Sequence, residues 1–279
     1  MARLIWLSSY RKSGNTWVRL FLSRLHRPEG IDLTRLQATG FMAAGRALLE
    51  DYLCISLAEL TAPEISNLRP AAYRTLAAGP ARTPVILKVH EQFGQTPDGQ
   101  WLFPPEATTG CVHIVRDPRD VCLSLSAHER VPVDKAISIM ADTRRTISHE
   151  GWRGMTQASQ LEGSWSDHTR SWLESPLPRL TVRYEDMLAQ PEAVQGQIAA
   201  FCGIEATAEQ IRLAVEETRF DRLRDQEEVS GFKERPKGVE RFFREGRAEQ
   251  WREALNRRQI DRIEREHGEV MQLLGYAAA

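Results

Sequence analysis

The sequence predicts an α/β protein: a central parallel β-sheet flanked by helices, entered through a P-loop-like strand–loop–helix at the N-terminus. Three observations predict it. Strand-length apolar runs recur at residues 4–7, 84–90, 111–115 and 180–184, with helically spaced stretches between them. Such alternation favours parallel strands whose connecting helices cover both faces of the sheet. The first run passes into the small polar stretch 8–14, which carries Lys12, and then into Trp17, Leu20, Phe21 and Leu25 at helical spacing. Lastly, no repeat, low-complexity segment or linker interrupts residues 1–279, so a single domain is expected.

The elements follow in order. Residues 28–52 hold Pro28, Gly30, Gly40 and Gly45 among short amphipathic pieces, which predicts loops and short helices over a site. Thr61, Pro63 and Glu64 read as an N-cap, an early proline and a capping-box acid, with Ile65, Leu68, Tyr73 and Leu76 behind them. Asp117-Pro118 opens a helix over residues 121–128. Residues 134–175 read as helices, with Trp152, Trp165 and Trp172 partly buried. Residues 185–188 turn, Pro191 begins a helix to Phe201, and residues 208–217 form another. The charged stretch 225–240, with Gly231, Pro236 and Gly238, reads as a mobile loop, and residues 249–274 as a final helical region.

Composition narrows the function. A formal net charge of −1 gives no global attraction to nucleic acid or to an anionic membrane. The N-terminal apolar run is too short for a signal peptide, and no run reaches membrane length, so a cytoplasmic protein is expected. The four cysteines, Cys54, Cys111, Cys122 and Cys202, form no CxxC pair, which argues against a structural zinc site. Any anion site must therefore be built from local positive charge.

Ligands of parallel sheets bind at the carboxyl ends of the strands. Past the first strand, Arg11, Lys12, Ser13, Gly14, Asn15, Thr16 and Trp17 lead into a helix, so backbone N–H groups and a lysine suit a phosphate-type anion. The stretch departs from GxxxxGK[ST]: the first glycine falls at Ser9 and Asn15 takes the lysine slot, which disfavours nucleoside triphosphate hydrolysis. Past the second strand, Lys88 and His90 stand two apart and share a face, and histidine can act as a base near neutrality. Past the third, Arg116 offers a bidentate phosphate contact, and Ser124 lies on the helix that Pro118 begins. Near the end, Arg244 and Arg247 flank Gly246, whose backbone can approach an anion closely. The three strand ends are expected to converge.

In this order, Lys12-Ser-Gly-Asn-Thr-Trp17, Lys88-Val-His90, Arg116-Asp-Pro-Arg-Asp-Val-Cys-Leu-Ser124, Tyr184-Glu-Asp-Met187 and Phe242-Phe-Arg-Glu-Gly246 with Trp251, the motifs resemble the cytosolic sulfotransferase family. The resemblance spans residues 4–255 and implies one sulfotransferase domain using 3′-phosphoadenosine 5′-phosphosulfate as donor, without a metal. It implies that the loop of residues 11–16, led by Lys12, binds the 5′-phosphosulfate and that Trp17 stacks on the adenine. Lys88 would support the transferring group and His90 would take the acceptor's proton. Arg116 and Ser124 would bind the 3′-phosphate, with Arg244 and the Gly246 backbone completing that site. Tyr184 and Thr218 or Phe220 would line the adenine end.

Three positions depart from the family pattern. Arg11 stands where the proline of Tyr-Pro-Lys is usual, which relaxes the loop and adds a charge, Asn15 stands where many eukaryotic members have threonine, and Glu245 replaces a lysine beside the expected 3′-phosphate site. The acceptor is expected to be a small molecule or natural product bearing a hydroxyl or amine. Variable segments 28–55, 92–105 and 225–240 would bind it, with Phe41, Tyr52, Phe93, Trp101 and Phe103 as aromatic candidates. A homodimer is compatible with the helical stretches. The other readings are a P-loop-like kinase or phosphotransferase and a non-catalytic nucleotide-binding protein; the latter sits poorly with both Lys12 and His90 being present.

Overall fold

The fold is that of a computed structural model, which describes residues 3–27, 29–34, 41–80, 83–147, 156–235 and 238–276. In chain order the strands are β1 (Leu4–Ser9), β2 (Phe41–Met42), β3 (Val85–Val89), β4 (Thr108–Val115), β5 (Thr146–Ile147), β6 (Gln160–Leu161) and β7 (Arg179–Arg183). The helices are α1 (Asn15–His26), α2 (Arg46–Leu53), α3 (Ala62–Ala78), α4 (Pro118–Glu129), α5 (Val133–Met140), α6 (Trp165–Leu173), α7 (Tyr184–Ala189), α8 (Pro191–Phe201), α9 (Ala208–Glu217), α10 (Phe220–Ser230), α11 (Trp251–Ala254) and α12 (Arg257–Leu273). A five-stranded sheet has the order β2-β3-β1-β4-β7, with β1 and β2 both parallel to β3. Every residue of β1 is buried, as a strand covered on both faces requires.

The chain divides into two compact units: residues 1–10, 40–113 and 139–181, and residues 11–39, 114–138 and 182–279. In the first, Trp6 meets Tyr73 and Phe103 edge-on at 5.0 and 4.9 Å, and its indole N–H donates to Thr108 Oγ1 at 2.9 Å. Leu87, Leu49 and Trp172 complete that core. In the second, Leu20, Leu33, Leu223, Phe232 and Phe243 form a smaller cluster, with Trp17, Phe220 and Phe242 packed against it.

The local signals for α3 and α4 are realised as capping geometry. Thr61 and Glu64 form the reciprocal capping box of α3. The Asp117 side chain caps α4 by accepting the Arg119 N–H at 2.9 Å, with Pro118 in the first turn. Elsewhere the structure corrects the sequence reading. Within the expected helical stretch 134–175, residues 146–147 and 160–161 instead form the antiparallel pair β5 and β6. There the Leu161 carbonyl accepts the Gln92 N–H at 3.0 Å, and Gly163 takes φ +66°, so tertiary pairing displaces the helix. Trp152 lies outside the described residues. The expected loop 225–240 begins as helix, because α10 runs to Ser230 with Leu223 and Glu227 buried on it. The expected turn at 185–188 is the short helix α7. The last helical region breaks after Ala254, where Asn256 caps a new start for α12. Among the described residues no helix is long and apolar enough to cross a membrane.

Candidate active site

The donor-binding candidates, Lys12 among them, lie in the second unit, whereas Lys88, His90 and the aromatic acceptor candidates lie in the first. In the second, the chain turns through Arg11, Lys12, Ser13 and Gly14 before α1 begins. Lys12 takes φ +71°, a left-handed conformation that a residue with a β-carbon rarely holds. Gly14 has φ +109°, and a β-carbon there would meet the Tyr184 ring at 2.8 Å. The turn opens onto the N-terminus of α1, the positive end of its dipole. The Ser13 hydroxyl is fully buried and lacks a hydrogen-bond partner among the described residues. The Lys12 ammonium lies 4.5 Å from the centre of the Phe242 ring, a cation–π contact.

Arg116 gathers this half. It is buried, and it donates to the Lys12 carbonyl at 3.3 Å and to the Arg247 carbonyl at 3.1 Å. Its guanidinium lies 4.2 Å from the centre of the Tyr184 ring and 3.7 Å from Asp120 Oδ2. Asp120 also accepts the Trp251 N–H at 3.0 Å, and burial pushes its carboxyl pKa up despite the neighbouring Arg116. Tyr184 meets Trp17 edge-on at 5.8 Å. Gly246, at φ +64°, lies so close to Phe220 that a β-carbon would come within 2.0 Å of the ring. Thr218 is buried, its hydroxyl donating to the Ala214 carbonyl at 2.7 Å, so it offers a surface rather than a polar contact.

The remaining donor candidates are more open. Ser124 is half-buried on α4. Arg244 and Glu245 are exposed and line a cleft of about 380 Å³ with Arg130 and Arg241. Glu245 lies 3.5 Å from the Arg247 guanidinium, which also pairs with Glu253 at 2.9 Å.

In the first unit, β3 delivers Lys88 and His90, both half-buried. His90 Nδ1 is 2.9 Å from the Ser9 carbonyl oxygen and 3.4 Å from Ser9 Oγ. A carbonyl only accepts, so Nδ1 carries the proton and Nε2 is the basic nitrogen. The following residue, Glu91, is buried and holds Arg69 through two oxygens at 2.6 and 3.1 Å, while its carbonyl accepts the Trp172 indole N–H at 2.9 Å. Arg69 also donates to the Tyr73 hydroxyl at 3.1 Å. This network fixes the backbone just beyond His90.

Sequence reading did not single out a buried set behind this strand end. The Tyr10 ring packs on His168 at 5.7 Å and His168 on His113 at 5.9 Å. Burial pushes the His113 pKa down to about 3 and that of His168 well below the ordinary range. Burial thus disfavours the charged form of both rings, and among the described histidines of this unit the half-buried His90 is the base candidate. Of the acceptor aromatics, Phe41 and Trp101 are exposed, and Phe93 meets Trp101 at 5.1 Å. Phe103 is wholly enclosed in the core, and Tyr52 packs at the core's edge. Glu129, which pairs with Arg11 at 2.5 Å, was also unmarked, because no local pattern links the two.

A parallel sheet whose first strand ends in a cationic, glycine-bearing turn at a helix N-terminus is the architecture of an α/β anion-binding protein. The family model of the sulfotransferase domain matches residues 3–275, and the chain belongs to that family. Sulfotransferase 1A1 of the dog, Canis lupus familiaris, is 24% identical over 275 residues, which cover 96% of this chain and 83% of that protein. Among solved structures, mouse sulfotransferase SULT7A1 complexed with PAP aligns over 99% of this chain and 89% of its own, at 18% identity and a TM-score of 0.62. Retinol dehydratase, solved with androsterone and inactive cofactor PAP, aligns over 96% of this chain and 80% of its own, at 19% identity and a TM-score of 0.62. Membership of this family sets aside the kinase reading.

Proposed function

We propose that this sulfotransferase moves a sulfuryl group from 3′-phosphoadenosine 5′-phosphosulfate to a hydroxyl or amine of a small organic acceptor, with His90 as the base. The observation that carries the reading is the Ser9 carbonyl at 2.9 Å from His90 Nδ1, which makes Nε2 the proton-accepting atom. The residues of the second unit fit a bisphosphorylated adenosine: a buried, unpartnered Ser13 hydroxyl, a Gly14 with no room for a side chain, and Arg116 drawn onto the loop. Two structural neighbours solved with PAP support the same donor.

The donor supplies an activated sulfuryl group: its S–O bond to the 5′-phosphate breaks as the bond to the acceptor atom forms. Lys12 neutralises the charge left on that phosphate, and Lys88 that on the transferring group. His90 Nε2 takes the acceptor's proton. Arg116, Ser124, Arg244 and the Gly246 backbone hold the 3′-phosphate, while Trp17, Tyr184, Phe220 and the Thr218 surface hold the adenine. Phe41 and Trp101 offer the acceptor aromatic surface, whereas Phe93 and Phe103 are buried and support them from the core.

Thermal shift with adenosine 3′,5′-bisphosphate against ATP tests the donor, and only the former should stabilise the protein. Labelled donor offered with phenols, sugars and glycopeptides then finds the acceptor. His90→Ala should lower kcat by about 10²–10⁴-fold with bisphosphate affinity unchanged; wild-type turnover in that variant would remove His90 from the chemistry.

A further inference from the structure

Arg11 is where this chain departs from the family's loop. A proline at that position would lock its own φ and press the preceding residue into extended backbone. Arginine does neither, yet the next residue, Lys12, holds a left-handed φ of +71°. Such a conformation persists only where the surroundings over-determine it. Two contacts, one from a residue ahead of α4 and one from its last residue, do so here. From ahead of the helix, Arg116 donates to the Lys12 carbonyl at 3.3 Å. At its last residue, Glu129 Oε1 accepts from Arg11 Nη1 at 2.5 Å. The Arg11 and Glu129 side chains are only 13% and 28% exposed, so water screens the pair weakly. The carboxylate also cancels the charge that arginine brings to the turn.

We propose that Arg11 is a positioning residue, not a donor ligand: its ion pair with Glu129 does the work of the missing proline, holding the turn in the shape that presents Lys12 and Ser13. The inference rests on the donor reading above. It makes donor affinity depend on Glu129, a residue that no family motif marks.

The test titrates adenosine 3′,5′-bisphosphate calorimetrically into the full chain as wild type, Arg11→Ala, Glu129→Gln and the charge-reversed double variant R11E/E129R. Each single variant should bind on the order of tenfold more weakly, and the reversed pair should recover most of that loss. In the transfer assay the loss should fall on the donor KM with kcat retained. Without ligand, hydrogen exchange across residues 8–16 should quicken in both single variants and slow again in the reversed pair. Wild-type affinity in Glu129→Gln beside weak binding in Arg11→Ala would make Arg11 a direct ligand and overturn the proposal. So would a reversed pair as weak as Arg11→Ala. No binding by the wild type would instead overturn the donor reading, and the inference with it.

Discussion

Gly14 is held to glycine twice, by a φ of +109° and by the Tyr184 ring at 2.8 Å from any β-carbon. Gly14→Ala should therefore cost about 1–3 kcal/mol in backbone strain alone, read as a lower urea midpoint, and should also weaken bisphosphate binding. An alanine variant with unchanged midpoint and affinity would show that the turn relaxes freely. That a small polar turn lies between an apolar run and a helix is legible in the sequence. Its partner Tyr184 is not, because nothing local ties residues so distant along the chain. Glu91 is a similar case. Replacing it with glutamine leaves the Arg69 charge buried without its counter-ion, and a loss of about 3–5 kcal/mol is expected in denaturant unfolding.

At the scale of elements, the sequence is clearest where short-range chemistry decides. The capping box of α3 and the Asp117-Pro118 start of α4 are local patterns, and both are realised. Thr61→Ala should cost about 1 kcal/mol, measurable by chemical denaturation. The end of α10 was hidden, because the buried face of a charged run consists of only Leu223 and Glu227. Glu227 is buried so that its carboxylate can accept the backbone N–H groups of Phe242 and Phe243, at 2.9 to 3.0 Å. That contact ties α10 to the segment bearing Arg244 and Gly246. Glu227→Gln should weaken these charge-assisted bonds by about 1.5–3 kcal/mol and quicken hydrogen exchange over residues 240–247; exchange equal to wild type would detach the segment from this anchor.

Over the whole molecule, the buried histidines impose an acid limit. Their folded pKa values lie below the ordinary 6.5, with His113 at about 3. The unfolded chain therefore binds more protons between those values. Their contribution is intact above about pH 6.5 and is lost progressively as the pH falls. Between pH 7.5 and 5.5 the two together should remove at most about 3 kcal/mol of unfolding free energy. His168→Gln should roughly halve that drop, and a flat pH profile in the wild type would mean that both rings protonate in place. Such sealing was not legible in the sequence, because His113 sits in a strand and His168 in a helix. Tyr10 packs on His168 and Trp172 on His113, contacts made between residues far apart in the chain. The parallel sheet and its cationic strand ends were legible, since alternating strand and helix periods constrain the topology so strongly.

The division of the chain has a consequence for how this enzyme could diversify. The boundary after residue 10 leaves His90 and the exposed aromatics Phe41 and Trp101 in one unit, and the turn of residues 11–17 with Arg116, Tyr184 and Gly246 in the other. On the roles proposed above, selection for a new acceptor would fall on segments 40–55 and 92–105 of the first unit, and would reach the second unit only through the remaining acceptor segments there. A chimera carrying residues 41–60 and 92–105 of a relative should acquire that relative's acceptor preference and keep the parental bisphosphate affinity.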